Sequence, residues 1–226
     1  NHPQEFCMKP QSSRISFVFC ISFIASLTTA EQTDKIRVAC VGDSITFGAG
    51  VKERNKNSYP KVLAGLLGEK YDVRNFGVNG ATLLKKGNKP WWKLRAFKDA
   101  TAFKPNVVII KLGTNDSKPP NWKHKSEYAS DLTALVEHFQ GLDLKPTVYL
   151  CRPAPVARDR WGINEKTVKG EIIPLIEQVA KDKGLSVIDI YSALKPHADL
   201  IPDGVHPNAA GAKILAKTVF DAVKAD

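Results

Sequence analysis

The chain has 226 residues, of which 43% are hydrophobic and 25% are charged, which are ordinary values for a globular protein. This length suits one well-buried domain and is short for two. The formal net charge is +10, but the basic residues are scattered and form no run of five or six. The charge therefore indicates a solvated cationic surface. We expect no nucleic-acid partner, and at most a preference for anionic substrates or surfaces.

The first 30 residues have the pattern of an export signal. Met8, which suits a start residue, is followed by two basic residues and then by an apolar run over residues 15–27. Small residues that end at Ala30 suit a cleavage site, and the run is too short to span a membrane. We therefore expect upstream residues and a signal peptide over residues 1–30, cleaved near Ala30, and a single domain over residues 31–226. The protein would be secreted or periplasmic, with no stable membrane insertion.

The first strand of that domain is predicted at residues 38–42, a run of five apolar or small residues. Such a run is typical of a strand buried on both faces of a parallel sheet. Ser44 follows at the carboxyl end of this strand, where open α/β sheets bind ligands. Its backbone N–H would lie at a helix N-terminus, which favours a developing negative charge. Ser44 is thus a candidate nucleophile, although a lone serine there also suits a helix cap.

The rest of the chain alternates between strand and helix patterns. Further strands are predicted at residues 71–76, 106–112, 146–151 and 185–190. Helices are predicted at residues 58–68, 91–103, 128–139, 165–183 with a kink at Pro174, and 208–224. Five strands that alternate with helices predict a three-layer α/β sandwich with a parallel sheet.

Four polar clusters fall at or just beyond the carboxyl ends of these strands: Ser44, Gly80, Asn115, and the pair Asp203 and His206. A serine hydrolase needs a nucleophile, a base, a group that orients the base, and donors for the oxyanion. Ser44 supplies the hydroxyl, His206 can take its proton, and Asp203 can hold the imidazole. The Ser44 and Gly80 N–H groups and the Asn115 amide can bind the oxyanion. Each residue alone also suits a turn or a cap, but their joint occurrence at one sheet edge predicts a hydrolase.

These four clusters lie in blocks that resemble a known superfamily. Residues 42–45 (GDSI), 75–80 (NFGVNG), 113–116 (GTND) and 203–206 (DGVH) are similar, in the right order, to the four blocks of the SGNH hydrolases, the GDSL-type esterases. The resemblance implies a flavodoxin-like, five-stranded α/β/α sandwich and ester hydrolysis through an acyl-enzyme. It also implies a catalytic triad of Ser44, His206 and Asp203, and an oxyanion hole of the Ser44 N–H, the Gly80 N–H and Asn115. Isoleucine at position 45 replaces the leucine of the family name, a common variant among carbohydrate-active members.

Two loops beside the expected site resemble a narrower group. Residues 113–122 and 161–164 are similar to bacterial sialate O-acetylesterase-like proteins, which are carbohydrate acetylesterases. Trp122 and Trp161 lie in the loops after the third and fourth strands, where they can stack on sugar rings or pack the loops onto the body. Arg152 can meet a sugar carboxylate or be solvated at the surface. Trp122, Arg152 and Trp161 are therefore the candidate substrate-binding residues.

Other chemistries find little support in the sequence. There is no metal-ligand spacing and no dinucleotide fingerprint, so we expect neither a metal nor a cofactor. Cys40 and Cys151 lie in separate strands and are predicted to be buried free thiols. These observations favour an exported serine esterase that removes acetyl groups from a small-molecule or polysaccharide ester. A lysophospholipase or thioesterase of the same superfamily is the alternative, and a non-catalytic carbohydrate-binding domain is another.

Overall fold

A computed structural model of the chain describes residues 3, 4 and 34–225, with the side chains of the last helix described up to residue 224. The expected start at Met8, the signal peptide and the cleavage near Ala30 lie outside the described residues. Asp34 begins the unit that carries all the helices and strands reported below. Within the described residues, no helix combines the length and the apolar character needed to cross a membrane.

The centre of the fold is a parallel sheet of five strands, as predicted. The strands are β1 Ile36–Gly42, β2 Tyr71–Gly77, β3 Val107–Lys111, β4 Thr147–Cys151 and β5 Val187–Ile188. Their order across the sheet is β2-β1-β3-β4-β5, which makes β1 and β3 neighbours in the interior. Gly42 of β1 pairs with Lys111 of β3, so both strands end at the same level. Residues that follow these two strands therefore start close together.

Helices cover both faces of the sheet. They are α1 Ser44–Phe47, α2 Arg54–Asn57, α3 Tyr59–Leu67, α4 Arg95–Ala102, α5 Pro119–Trp122, α6 Tyr128–Gln140, α7 Glu165–Thr167, α8 Ile173–Lys183, α9 Ile190–Leu194 and α10 Ala209–Ala225. Alternate strand residues point to opposite faces. Val41 and Ile110 join the core cluster that contains Phe139 of α6, and Cys40 and Ile109 join the cluster that contains Leu63 of α3. Two cores separated by one sheet make the predicted three-layer sandwich.

Three predicted elements differ in their bounds. The predicted helix at residues 91–103 starts as a 3-10 turn and is interrupted at Leu94, which is extended. The predicted helix at residues 165–183 contains a π-helical turn, Val168–Ile172, immediately before α8. Pro174 explains that irregularity, because it has no N–H to continue the α-helical ladder. The fifth strand has only two residues, since Asp189 accepts a hydrogen bond from Ser192 N and caps α9.

Cys40 and Cys151 are buried free thiols, as predicted. Burial raises the pKa of Cys151 to about 12 and raises the pKa of Cys40 further above its ordinary value. Both therefore remain protonated at neutral pH. A buried, protonated thiol is a poor nucleophile, so the two cysteines serve the core as small apolar side chains.

Candidate active site

Ser44 lies in a sharp turn between β1 and α1. The Asp43 carboxylate precedes it and accepts a hydrogen bond from Ile45 N at 2.9 Å, which caps α1. The turn needs a glycine before it, because a Cβ on Gly42 would lie 2.1 Å from Thr46 Oγ1. Ser44 is the first residue of α1, where the backbone N–H has no partner within the helix. The turn thus presents a hydroxyl and a backbone donor at the same sheet edge.

His206 and Asp203 reach Ser44 from the loop before α10. His206 Nε2 lies 2.8 Å from Ser44 Oγ, and His206 Nδ1 lies 2.8 Å from Asp203 Oδ2. The other Asp203 oxygen accepts hydrogen bonds from Val205 N at 2.8 Å and from His206 N at 2.7 Å. The three-residue spacing between Asp203 and His206 therefore forms a compact turn that fixes the carboxylate against the imidazole. The structure brings the predicted nucleophile, base and orienting group into one hydrogen-bonded row.

Asp203 is ionised in this arrangement. Partial burial raises its pKa, but hydrogen bonds from His206 N, Val205 N and the imidazole outweigh that effect and hold the pKa below its ordinary value. An ionised carboxylate accepts from Nδ1–H, so the neutral imidazole carries its proton on Nδ1. Nε2 is then free to accept the Ser44 hydroxyl proton. This tautomer is the one that a general base at this position needs.

Gly80 and Asn115 face Ser44 from two further loops. Gly80 has a φ of +77°, which lies in the left-handed region that glycine adopts without strain. The Asn115 side chain donates one hydrogen bond to Ala81 O at 3.1 Å, which ties it to the Gly80 loop. An amide nitrogen carries two hydrogens, so one donor remains for a ligand. Ser44, Gly80 and Asn115 all line one cleft, as the predicted oxyanion hole requires.

Asp116 strengthens the connection between these two loops. Its carboxylate accepts hydrogen bonds from Leu83 N at 3.0 Å and from Leu84 N at 2.8 Å, and its side chain is completely buried. Burial raises the pKa of Asp116 to about 7, against the opposing effect of these two hydrogen bonds. Asp116 therefore fastens the loop that contains Gly80 to the turn that contains Asn115.

A buried ion pair involves Asp43, the residue before Ser44. Lys111 Nζ is 3.1 Å from Asp43 Oδ1 and 3.3 Å from Asp43 Oδ2, and both side chains are fully buried. Lys111 ends β3 and Asp43 follows β1, so the pairing follows from the register of the sheet. The pair compensates the charge of the residue that caps α1 and directly precedes Ser44.

Ser44, Asn115 and His206 face an open cleft of about 290 Å³. The residues that line it are mostly polar or small: Ser44, Ala49, Asn79, Gly80, Asn115, Lys118, Trp161, Ile163 and His206. Trp161, one of the three candidate substrate-binding residues, is 54% exposed, and its ring centroid lies 5.6 Å from that of His206. It therefore offers an aromatic surface beside His206.

The structure does not bring Trp122 or Arg152 to this cleft. Trp122 is 8% exposed, and its indole N–H donates to Glu171 at 2.9 Å. Arg152 makes ion pairs with Glu177 at 2.7 Å and with Asp189 at 2.5 Å. Each side chain is thus held by acidic partners away from the lining of the cleft, contrary to the prediction that it binds substrate.

Two lysines near the site were not singled out from the sequence. Lys111 is a lone charge at the end of an otherwise apolar strand, and that contrast is a usable signal for a buried ion pair. Lys118 lines the cleft but stands in a polar loop, where a lysine is unremarkable. The fold shows that Lys111 lies in the core and that Lys118 lies at the cleft.

Comparison with known proteins shows which family and which proteins the chain resembles. Residues 40–214 match the model of the GDSL-like lipase/acylhydrolase family, which confirms the resemblance drawn from the four blocks. The chain is 43% identical over 214 residues to an acetylxylan esterase of Xylanibacter ruminicola, a match that covers 86% of this chain and 44% of that protein. The chain thus spans less than half the length of this relative.

Two solved structures share the fold. A carbohydrate acetylesterase from Sinorhizobium meliloti has a TM-score of 0.67 at 24% identity, covering 84% of this chain and 99% of that one. An acetylxylan esterase from Geobacillus stearothermophilus has a TM-score of 0.64 at 25% identity, covering 83% of this chain and 93% of that one. These likenesses confirm the predicted fold class.

Proposed function

The chain belongs to the GDSL-like lipase/acylhydrolase family, a family of carboxylic ester hydrolases, and on that premise we propose that it removes acetyl groups from carbohydrate hydroxyls. The observation that carries the proposal is the row of hydrogen bonds from Ser44 through His206 to Asp203, with two distances of 2.8 Å. The choice of an acetyl group and of a carbohydrate rests on the relative and the solved structures just described. Export of the protein, supported by the apolar run at residues 15–27, belongs to the same proposal.

Acylation begins at Ser44. Its Oγ attacks the ester carbonyl carbon while His206 Nε2 takes the hydroxyl proton, and Asp203 stabilises the imidazolium that forms. The negative charge moves to the former carbonyl oxygen, which the Ser44 N–H, the Gly80 N–H and the free Asn115 hydrogen bind. Collapse of this intermediate breaks the bond to the sugar oxygen. That oxygen leaves as a hydroxyl with the proton from His206.

Deacylation repeats the same steps with water. His206 Nε2 takes a proton from a water molecule as the water attacks the acetyl-Ser44 carbonyl. The oxyanion forms again in the same set of donors, and its collapse releases acetate. The proton on His206 returns to Ser44 Oγ, which restores the starting state. The openness of the cleft around Ser44 supports access for both the sugar ester and the water.

Acetate release tests this proposal. The purified full chain is incubated with acetylated xylan, acetylated glucomannan, O-acetylated sialic acid and p-nitrophenyl esters of increasing chain length. We expect release from at least one carbohydrate and its loss in Ser44→Ala, down to the residual rate that binding and the oxyanion hole supply. Ser130→Ala is the matched control, because that serine is exposed and donates only to Glu127 O.

The outcomes separate the alternatives. Activity that rises steeply beyond butyryl esters would contradict the acetyl assignment in favour of a lysophospholipase or thioesterase. Hydrolysis of the nitrophenyl ester alone would retain an esterase and remove the carbohydrate. Carbohydrate binding with no turnover of any ester would favour the non-catalytic binding domain. Sequencing the N-terminus of the protein recovered outside the cytoplasm tests export, and a start near residue 31 is the expected result.

A further inference from the structure

We propose that Lys118 and Trp161 form a subsite for an acylated sugar that carries a carboxylate group. The inference rests on the proposed function and adds to it the charge of the substrate. Both side chains line the cleft that contains Ser44 and His206. Lys118 would pair with the carboxylate, and Trp161 would pack against the sugar ring. Lys118 packs against Gly162, the residue that follows Trp161, and Trp161 lies beside His206.

Trp161 lies in a strained two-residue turn. Arg160 N donates to Ile163 O at 3.1 Å and Ile163 N donates to Arg160 O at 2.8 Å, which closes the turn. The φ angles of Trp161 and Gly162 are +53° and +80°, so both residues lie in the left-handed region. That conformation costs a bulky L-residue about 1–2 kcal/mol. Trp161 keeps it while 54% exposed, so burial in the core does not explain the strain.

Arg160 and His206 fix the direction of the Trp161 ring. The Arg160 guanidinium lies 4.4 Å from the indole centroid, and Arg160 Nη1 donates to Asp203 O at 3.3 Å. The other contact is the His206 ring, 5.6 Å from the indole between centroids. The indole is thus braced against the loop that carries Asp203 and His206 and still leaves half of its surface open. An exposed, oriented aromatic ring is suited to the C–H face of a sugar.

Lys118 packs against this turn and brings a positive charge to the cleft. A Cβ on Gly162 would lie 3.7 Å from both Cβ and Cγ of Lys118, so the lysine stem packs under the turn. Partial burial lowers the pKa of Lys118, although the Asp43 charge acts in the opposite direction. Among the described residues, no carboxylate forms an ion pair with the Lys118 ammonium. Its charge is therefore available to a ligand.

The charges around the cleft favour an anionic ligand. Lys118 and His206 are the ionisable residues among those that line it. Asp203 is bonded to His206, and Asp43 is paired with Lys111 in the core. A bound carboxylate would balance the charge of Lys118. The geometry therefore fits a sugar acid, from either a uronic acid or a sialic acid.

Kinetics of Lys118→Met test the proposal, since methionine keeps the length of the stem and removes the charge. Substrates are acetylated xylo-oligosaccharides with and without a glucuronic acid branch, O-acetylated sialic acid, and p-nitrophenyl acetate. We expect KM to rise about 5- to 10-fold for the carboxylate-bearing substrates alone, with kcat unchanged. Lys118→Arg should restore the preference. Lys123→Met, at the opposite end of α5 and exposed, is the matched control.

A second variant tests the aromatic surface. Trp161→Ala should raise KM for all acetylated sugars, charged and neutral alike. A preference for the glucuronic acid branch or for sialic acid would identify the source of the carboxylate. Carbohydrate turnover with equal KM values for charged and neutral sugars would overturn the subsite while the proposed function stands. A fall in kcat for every substrate in Lys118→Met would place its charge at the reacting oxygen instead and also overturn the subsite. Absence of turnover on every sugar would defeat both proposals.

Discussion

Removal of the buried Lys111 ammonium should destabilise the fold strongly. In Lys111→Met the apolar stem is kept, but the Asp43 carboxylate loses the partner that lies 3.1 Å away. Both side chains are fully buried, so water cannot replace the lost charge. Breaking a buried pair in this way costs about 3–5 kcal/mol. The whole domain is stable by only about 5–15 kcal/mol, so the loss is a large fraction of the free energy of unfolding.

Thermal and urea unfolding measure this loss. For a domain of this size, about 3–5 kcal/mol corresponds to a fall in Tm of about 6–20 °C. Lys217→Met is the control, because Lys217 and Asp221 form a pair at 2.6 Å whose side chains are 64% and 55% exposed. Removing that charge should change stability by less than about 1 kcal/mol. Equal losses of stability in Lys111→Met and Lys217→Met would refute the claim that the buried pair stabilises the fold more than the exposed pair does.

The double variant Asp43→Asn/Lys111→Met sharpens the test. An amide oxygen at position 43 can still accept from Ile45 N and cap α1, while the buried charge is gone. We expect the double variant to be more stable than Lys111→Met alone, because no unpaired carboxylate remains in the core. A double variant less stable than either single variant would show that Lys111 stabilises the fold through packing rather than through charge.

The remaining predictions concern the loops of the site. Asn115→Ala should lower kcat about 100- to 1000-fold with little change in Tm, and steady-state kinetics with thermal unfolding check this. The pKa of Asp116 is about 7 in the folded state and 3.8 in the unfolded chain, so the folded state binds the proton more tightly. The free energy of unfolding should therefore fall as the pH rises from about 4 to about 7, and it should stay level above pH 7. Asp116→Asn should reduce that pH dependence in urea titrations at pH 5 and pH 8. Gly204→Ala should lower kcat about 100-fold, because the added Cβ would lie 2.5 Å from Arg158 O and the φ of +94° disfavours any residue but glycine. An unchanged kcat would contradict the tight fit of the loop that carries Asp203 and His206.

The sheet and the convergence of its loops could be predicted because local patterns determine both. Residues 38–42 are apolar at every position, as a strand covered on two faces must be. Once β1 and β3 are adjacent and parallel, Ser44 and Asn115 must begin at one edge. The short spacing from Asp203 to His206 confines that pair to one turn. None of these inferences needs the identity of a distant contact.

The partners of Trp122 and Arg152 could not be predicted, because they come from distant parts of the chain. Glu171 binds the Trp122 indole from the π-helical turn, which exists because Pro174 interrupts the hydrogen-bond ladder. Arg152 pairs with Asp189, a residue that also caps α9. An aromatic or basic residue in a loop after a strand is compatible with either a ligand or such a partner. Whether such a residue binds a ligand or another part of the protein depends on which acidic side chain the tertiary fold brings within reach.

Lys111 and Lys118 show how strongly position in the fold decides the role of a charge. They are seven residues apart, Lys111 at the end of an apolar strand and Lys118 in a polar loop. Lys111 is the last residue of β3, and the register that pairs it with Gly42 brings its ammonium beside Asp43. Lys118 lies beyond the Asn115 turn, where the chain has left the sheet and its stem meets Gly162. A charge inside the core must have its counter-ion within the protein, whereas a charge at the cleft can take its counter-ion from the substrate. One segment thus supplies a charge that is paired in the core beside the Ser44 turn and a charge at the cleft that has no ion-pair partner among the described residues.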